Sequence, residues 1–188
     1  VTAMLMLICQ GESTASREGR FPRDEPLTEQ AQGQACLLRG ILSTNQTVWC
    51  APQLAARQTA AALALSTEVD DALRDLNYGD WAGLPLKQVI IQDDKAFSAW
   101  LSGARPPGGE SLEQLAARCG DWLTRRAEQR CNHYAVVSAA TIRAMAVAVL
   151  GAPIQAFARI DIHPLSVTEL SSDGRRWNLR QLGRLILW

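Results

Sequence analysis

Short apolar runs that stop at small or polar residues, each followed by a segment of helical spacing, constrain this chain more than any other feature. Met4 to Ile8 is apolar throughout and leads into Cys9-Gln10-Gly11; Thr47 to Cys50 leads into Ala51-Pro52; Tyr134 to Ser138 leads into Ala139-Ala140. Apolar runs without polar alternation suit strands covered on both faces, as parallel strands between helical layers are. From Thr28, read as an N-cap, Ala31, Ala35, Leu38 and Leu42 recur at helical spacing. Leu54 to Leu65 reads as an Ala-rich helix and Thr141 to Leu150 as another. Ser111 and Gln114 form a capping box, opening a helix whose apolar face is Leu112, Leu115, Cys119, Trp122 and Leu123. Val167 to Leu170 and Trp177 to Leu182 flank Asp173-Gly174, a hairpin signal. Between Glu12 and Leu27, Pro22 and Pro26 rule out a continuous helix.

The fold class these elements predict is α/β, three-layered, with a mostly parallel central sheet and helices on both faces. A length of 188 residues fits one domain spanning 1–188. Within it, residues 85–109, punctuated by Pro85, Asp93-Asp94, Pro106-Pro107 and Gly108-Gly109, read as a helical or loop excursion over the cleft. Nineteen basic residues balance nineteen acidic ones, and no dense basic run or basic stripe with interleaved aromatics points to nucleic acid. Arg175-Arg176 beside Trp177 reads as an exposed hairpin. The apolar opening run lacks the basic start and cleavage site of a signal peptide and falls far short of the ~20 residues a bilayer requires. Five cysteines without zinc-type spacing fit a reducing cytoplasm and imply no metal or other cofactor.

In an open α/β sheet, ligands bind beyond the carboxyl ends of the strands, and here those ends carry a specific likeness. Gly11-Glu12-Ser13 with Arg17-Glu18-Gly19-Arg20-Phe21 follows the first strand. Pro26-Leu27-Thr28-Glu29, Gln34-Ala35 and Gln58-Thr59-Ala60 come next, then Leu73-Arg74-Asp75, Gly79-Asp80-Trp81 and Gly83-Leu84. Pro107-Gly108-Gly109-Glu110-Ser111-Leu112 and Val136-Val137-Ser138 complete the series. In this order and spacing, from about Met4 to Leu182, the chain resembles the histidine phosphatase superfamily, on its phosphoglycerate-mutase-like and α-ribazole-phosphatase-like branch.

The resemblance implies a nucleophilic His after the first strand that becomes a phosphohistidine. It also implies two arginines, an asparagine and a second His on the phosphoryl oxygens, and an acidic residue that protonates the leaving group. Such chemistry needs an in-line nucleophile and charged donors around the equatorial oxygens. Set against that pattern, Cys9 stands in the first arginine's place and Gln10 in the nucleophile's. Ser16 stands for the asparagine, Ala55 for the second arginine, Ala139 for the second His and Ala140 for the following Gly. Arg57, two residues beyond Ala55, is rotated by about 200° on a helix and should point elsewhere. Asp75 keeps the proton donor's place. His133 and His163, the chain's two histidines, match no catalytic place.

A carboxamide is a poor nucleophile without an accessible pKa, and each charge-assisted contact to phosphate is worth roughly 1.5–3 kcal/mol. The resulting expectation is a pseudoenzyme with a remodelled pocket of Cys9, Gln10, Gly11, Ser13, Ser16, Ala55, Asp75, Ser138 and Ala139. Its occupant would be a less anionic small molecule or a protein partner, and a homodimer stays open because relatives commonly dimerise. The alternative is changed chemistry, such as isomerisation, elimination or non-phosphate hydrolysis, by Asp75, Glu110 or Cys9. Residual phosphatase or mutase activity is the third reading. Against the functional readings stand simpler ones: Glu110 supporting a helix start, Asp75 solvated, and Cys9 a buried filler. A Cys9–Cys50 pairing or shared soft-metal site, and a Trp81/Trp100 lining for an apolar ligand, are further expectations to compare with the structure.

Overall fold

The apolar opening run forms the middle of the sheet. In the computed structural model, which describes residues 2–42 and 44–186, strand β1 (Ala3–Cys9) pairs in parallel with β4 (His133–Val137) and antiparallel with β5 (Val167–Ser172). Val1, which precedes that run, lies outside the described residues. Leu5, Leu7, Ile8 and Cys9 are all buried, as expected of a strand covered on both faces. β2 (Val48–Cys50) joins β4, and β3 (Thr67–Val69) joins β2, both in parallel. β6 (Trp177–Arg184) closes the other edge as the hairpin partner of β5. The order is β3-β2-β4-β1-β5-β6, so the predicted mostly parallel sheet is present, with the predicted hairpin as its antiparallel end.

The helices are α1 (Thr14–Arg17), α2 (Glu29–Leu37), α3 (Leu54–Ala62), α4 (Leu86–Gln92), α5 (Asp94–Leu101), α6 (Leu112–Glu128) and α7 (Ala139–Leu150). Short 3₁₀ turns cover Asp71–Leu73, Gly79–Trp81 and Ile154–Arg159. α2 packs on α3 and α6 on α7, forming layers on the two faces of the sheet. Local chemistry sets several boundaries. Thr28 caps α2 through the Ala31 N–H at 3.0 Å. Ser111 and Gln114 exchange the two bonds of a capping box at 3.0 and 2.9 Å, and the apolar face predicted for α6 is buried throughout. α7 ends on Gly151 at φ +60°, followed by Pro153.

The structure corrects the sequence reading at three places. The helix expected to run to Leu42 stops at Leu37, where the backbone tightens through Arg39 N–H to Cys36 C=O at 3.3 Å and then turns at Gly40 with φ +82°. The loop from Glu12 to Leu27 contains α1, capped by Ser13. β3, whose residues are all exposed, was not expected, because three edge residues carry no hydrophobic pattern. Residues 85–109 fold as α4, α5 and turns. The start of this segment is tied to the Glu12 to Leu27 loop by Leu86 N–H to Gly19 C=O, and Leu84 C=O just before it accepts from Phe21 N–H, both at 2.9 Å. Among the described residues, no helix is long and apolar enough to cross a membrane.

Candidate functional site

Neighbouring strands β2, β4 and β1 end on the same side of the sheet, which brings Pro52-Gln53, Ser138-Ala139 and Gln10-Gly11 together. Backbone bonds fix these ends: Gln10 N–H donates to Val137 C=O at 2.8 Å and Ala51 N–H to Val136 C=O at 3.0 Å. Gly11 N–H donates to Thr59 Oγ1 of α3 at 2.9 Å. Gly11 also passes so close to Leu27 and Ala31 that an added Cβ would sit 3.2 Å from each.

The strand ends floor a cleft with two lobes that share Gln10, Ser13, Pro22 and Asp75. The first, about 270 Å³, extends along Arg23, Asp24, Glu25, Gln53, Ala55 and Arg74. The second, about 330 Å³, extends along Cys9, Gly11, Ser16, Arg20, Ser138, Ala139 and Arg143. All nine residues predicted for the remodelled pocket therefore line one lobe or the other. Neither histidine does: His133 starts β4 at the far end of the sheet, beside Trp49 and Cys131, and His163 lies outside the lining of both lobes.

A hydrogen-bonded bridge crosses the floor where the lobes meet. Gln53 Nε2 donates to Gln10 Oε1 at 3.0 Å, and Asp75 N–H donates to Gln53 Oε1 at 3.3 Å. Gln53 is thereby oriented at both ends, and it orients Gln10. Asp75 Oδ1 accepts from Ser138 Oγ at 2.9 Å and from Leu76 N–H at 2.8 Å, while Oδ2 has no hydrogen-bond partner among the described residues. Burial raises the Asp75 carboxyl above the usual carboxylate range. The bonds from Ser138 and Leu76 and the charge of Arg118 oppose the rise, and the charge of Glu110 adds to it. A carboxyl with raised proton affinity in the lining of a cleft can act as a general acid. The reading of Asp75 as merely solvated is thus corrected.

Glu110 is placed otherwise. Its oxygens accept from Arg118 Nε at 3.1 Å and Nη2 at 2.7 Å, and it lines neither lobe. The paired-carboxylate arrangement with Asp75 is therefore not formed across the cleft. Cys9 lines the second lobe but is only 2% exposed. Burial pushes its thiol up to about 12, against a downward pull from Arg143, so it is a neutral thiol at physiological pH. Cys50, raised by burial to about 11, is two strands away across β4. At the ~4.8 Å strand spacing that separation is about 9.6 Å, beyond the ~7 Å a disulfide spans. Trp81 and Trp100 pack with Phe21, Tyr78 and Phe97 at centroid distances of 5.2–6.4 Å; the two indoles are buried in this cluster and line neither lobe.

The expectation that the pocket has lost its positive charge is also corrected. Arg20, Arg23, Arg74 and Arg143 all line the cleft, reached from segments that do not align with the family's two phosphate arginines. Arg143 had a readable signal, since it follows Ala139 by four residues and so shares its helical face. Arg20 and Arg23 come from loop geometry that spacing does not reveal. Arg57 turns back onto Pro52 C=O at 2.9 Å and lines neither lobe, as its rotation on α3 predicts.

The comparisons with known proteins agree with this architecture. The family model of the histidine phosphatase superfamily (branch 1) matches residues 5–184. Phosphoserine phosphatase 1 of Hydrogenobacter thermophilus is 26% identical over 92% of this chain and 88% of its own length. The adenosylcobalamin/alpha-ribazole phosphatase of Escherichia coli is 29% identical over 81% of each chain. The fructose-2,6-bisphosphatase TIGAR of Xenopus tropicalis is 32% identical, but this chain spans only about half of it (48%). Among solved structures, the mycobacterial glucosyl-3-phosphoglycerate phosphatase with VO3 superposes with a TM-score of 0.84 at 25% identity, covering 97% of this chain and 100% of its own. YhfR of Bacillus stearothermophilus superposes with a TM-score of 0.88 at 20% identity, covering 97% and 98%, a likeness of fold. With its sheet order, its cleft at the strand ends and the family pattern running along nearly its whole length, the chain belongs to the histidine phosphatase superfamily, branch 1.

Proposed function

We propose that this chain keeps the family's cleft as a binding site for a small molecule and does not form a phosphohistidine. The observation that carries this reading is Gln10. It occupies the position after β1 that the resemblance assigns to the nucleophile, its carboxamide oxygen is bonded to Gln53, and neither histidine of the chain lines the cleft. An amide nitrogen has its lone pair delocalised into the carbonyl, so no rearrangement of the bridge would make it attack phosphorus. Two bounded lobes of about 270 and 330 Å³ suit a metabolite-sized ligand better than a protein segment.

Asp75 supports a second reading, residual hydrolysis of phosphomonoesters without a covalent intermediate. Water would attack phosphorus, and a protonated Asp75 would deliver its proton to the leaving oxygen. The raised proton affinity of Asp75 and the phosphatase names of the relatives support it.

One experiment separates the readings. Radiolabelled phosphomonoesters are incubated with the chain, with Asp75→Ala, and with an active family member. Turnover and acid-labile protein-bound phosphate are both measured. The proposal expects background turnover and no phosphoprotein. Turnover without phosphoprotein that Asp75→Ala abolishes would establish the second reading, and phosphoprotein on the parent chain would overturn both.

A further inference from the structure

We propose that two copies of this chain associate about a two-fold axis through the outer groove between α6 and α7, with Glu113 of each copy meeting Arg175 and Arg176 of the other. The surface lies apart from the cleft, and the proposal does not depend on how the cleft is read.

The groove starts from the pattern of α6. Its large apolar side chains, among them Leu115, Trp122 and Leu123, are buried against the sheet side. That leaves Ala117, Gly120 and Thr124, three and four residues apart, as one stripe on the outer face. Two open hollows that meet at Ala148 of α7 run along this face. One, about 410 Å³, includes Ala117, Gly151 and Ile154 and carries Glu113. The other, about 320 Å³, includes Gly120, Thr124 and Ala127 and carries Arg175 and Arg176. Everything else that lines the two hollows is uncharged. Leu150, between Val149 of one hollow and Gly151 of the other, is 59% exposed.

The charged ends are fixed in place and uncommitted. Trp177 Nε1 donates to Leu123 C=O at 2.7 Å, which fastens the β5–β6 hairpin to α6. Asp173 Oδ1 accepts from Arg175 N–H at 2.9 Å and from Arg176 N–H at 3.2 Å, which sets the turn that leads into the groove. Glu113, Arg175 and Arg176 are exposed, and none of them forms an ion pair among the described residues.

The placement of these ends selects a second copy as the occupant. Glu113 and Ala127, which borders the two arginines, stand seven residues either side of Gly120, about 10 Å each way along the helix. A half-turn about an axis perpendicular to α6 at Gly120 lays a second α6 antiparallel on the first and exchanges the ends. Each acidic end then faces a basic end, so the surface is complementary to itself, as an isologous interface requires. A partner segment of a single sign would meet its like at one end. Gly120 is an independent observation. Glycine inside a helix weakens it relative to alanine, and packing within the chain does not call for it, since an added Cβ would come no nearer than 4.0 Å to Ala148. At the axis the missing side chain lets a second helix backbone approach closely.

The test is sedimentation equilibrium of the intact chain from low to high micromolar concentration. A reversible monomer–dimer equilibrium that weakens with added salt is expected. Symmetry uses each ion pair twice, so Glu113→Arg makes both ends repulsive, and so does Arg175→Glu combined with Arg176→Glu. Each of these variants alone should raise the dissociation constant about tenfold or more. An equimolar mixture of the two should recover association as a mixed dimer, because the substituted ends pair with each other and the unsubstituted ends do the same. Gly120→Gln, a better helix former with room inside the chain, should melt no lower than the parent and stay monomeric. Melting curves distinguish lost association from lost fold, and if a charge-reversed variant unfolds, the salt dependence and Gly120→Gln decide. A parent chain that is monomeric at high micromolar concentration overturns the proposal. So does a dimer that survives the charge reversals or Gly120→Gln, or folded variants that do not recombine when mixed.

Discussion

Ser138 Oγ donates to Asp75 Oδ1 across 2.9 Å, tying the end of β4 to the segment that follows the first 3₁₀ turn. The bond favours the ionised carboxyl, yet burial dominates and the folded chain holds the Asp75 proton more tightly than the unfolded chain does. A carboxyl raised in this way contributes stability in acid, and that contribution is lost as pH rises through its folded-state value. Asp75→Asn keeps an acceptor for Ser138 and Leu76 and cannot ionise. Its melting temperature should match the parent's below about pH 4, where the unfolded carboxyl is protonated too, and exceed it increasingly at higher pH. Melting curves of both proteins from acid to neutral pH check this; a difference that does not change with pH would remove Asp75 as a buried acid.

Thiol chemistry in the cleft makes a separate, simple prediction. Cys36 and Cys131 are exposed, whereas Cys9, Cys50 and Cys119 are buried. With its value near 12, Cys9 has a thiolate fraction on the order of 10⁻⁵ at neutral pH. A disulfide reagent should therefore titrate two thiols in the native chain and all five only after unfolding. Labelling of Cys9 at the rate of Cys36 would restore it as a nucleophile.

What the sequence made legible was local or periodic. The run from Met4 to Ile8, the capping box at Ser111 and the Asp173-Gly174 turn each carry their own signal, and each formed where expected. The cleft was legible only where motif order supplied it, as for Gln10, Asp75 and Ser138. Gln53 bridges two of those residues but lies on a loop whose course is set by the packing of β2 and α3, so no spacing marks it. The environment of Asp75 was misjudged for the same reason. Whether a carboxyl is solvated depends on Ser138, 63 positions away, and Arg118, 43 positions away, whose charge also acts on it.

Arg118 should be a structural support of that environment. Its side chain is 12% exposed and that of Glu110 14%, and its Nη1 also donates to Ala72 C=O at 3.0 Å and Arg74 C=O at 2.8 Å. Glu110→Ala leaves a largely buried cation unpaired, and a cost of about 3 kcal/mol is expected. Arg118→Ala should cost a similar amount and in addition raise the Asp75 pKa further, because a favourable positive charge is removed. Urea unfolding gives the first quantity and carboxyl NMR titration the second. Loss of stability with an unchanged Asp75 titration would confine Arg118 to holding the backbone.

The carboxyl end of α3 predicts a substitution that should stabilise the chain. Leu65 N–H donates to Ala60 C=O and Ala64 N–H to Ala61 C=O, both at 3.0 Å, the paired bonds of a Schellman ending. That ending places its central residue in the left-handed region, and here the residue is Ala64 at φ +56°. An L-residue with a Cβ costs roughly 1–2 kcal/mol in that conformation, whereas glycine adopts it freely. Ala64 is exposed, so its methyl group contributes little packing to offset the cost. Part of the gain is returned through the greater freedom of glycine in the unfolded chain. Ala64→Gly is therefore expected to stabilise by about 0.5–1 kcal/mol, read as a higher urea midpoint at constant slope. The reverse logic holds at Gly79, at φ +56°, where an added Cβ would stand 2.2 Å from the Pro107 carbonyl oxygen. Gly79→Ala should destabilise by on the order of 3 kcal/mol. Ala64→Gly lowering the midpoint would mean that the left-handed turn is not the conformation the chain holds after α3.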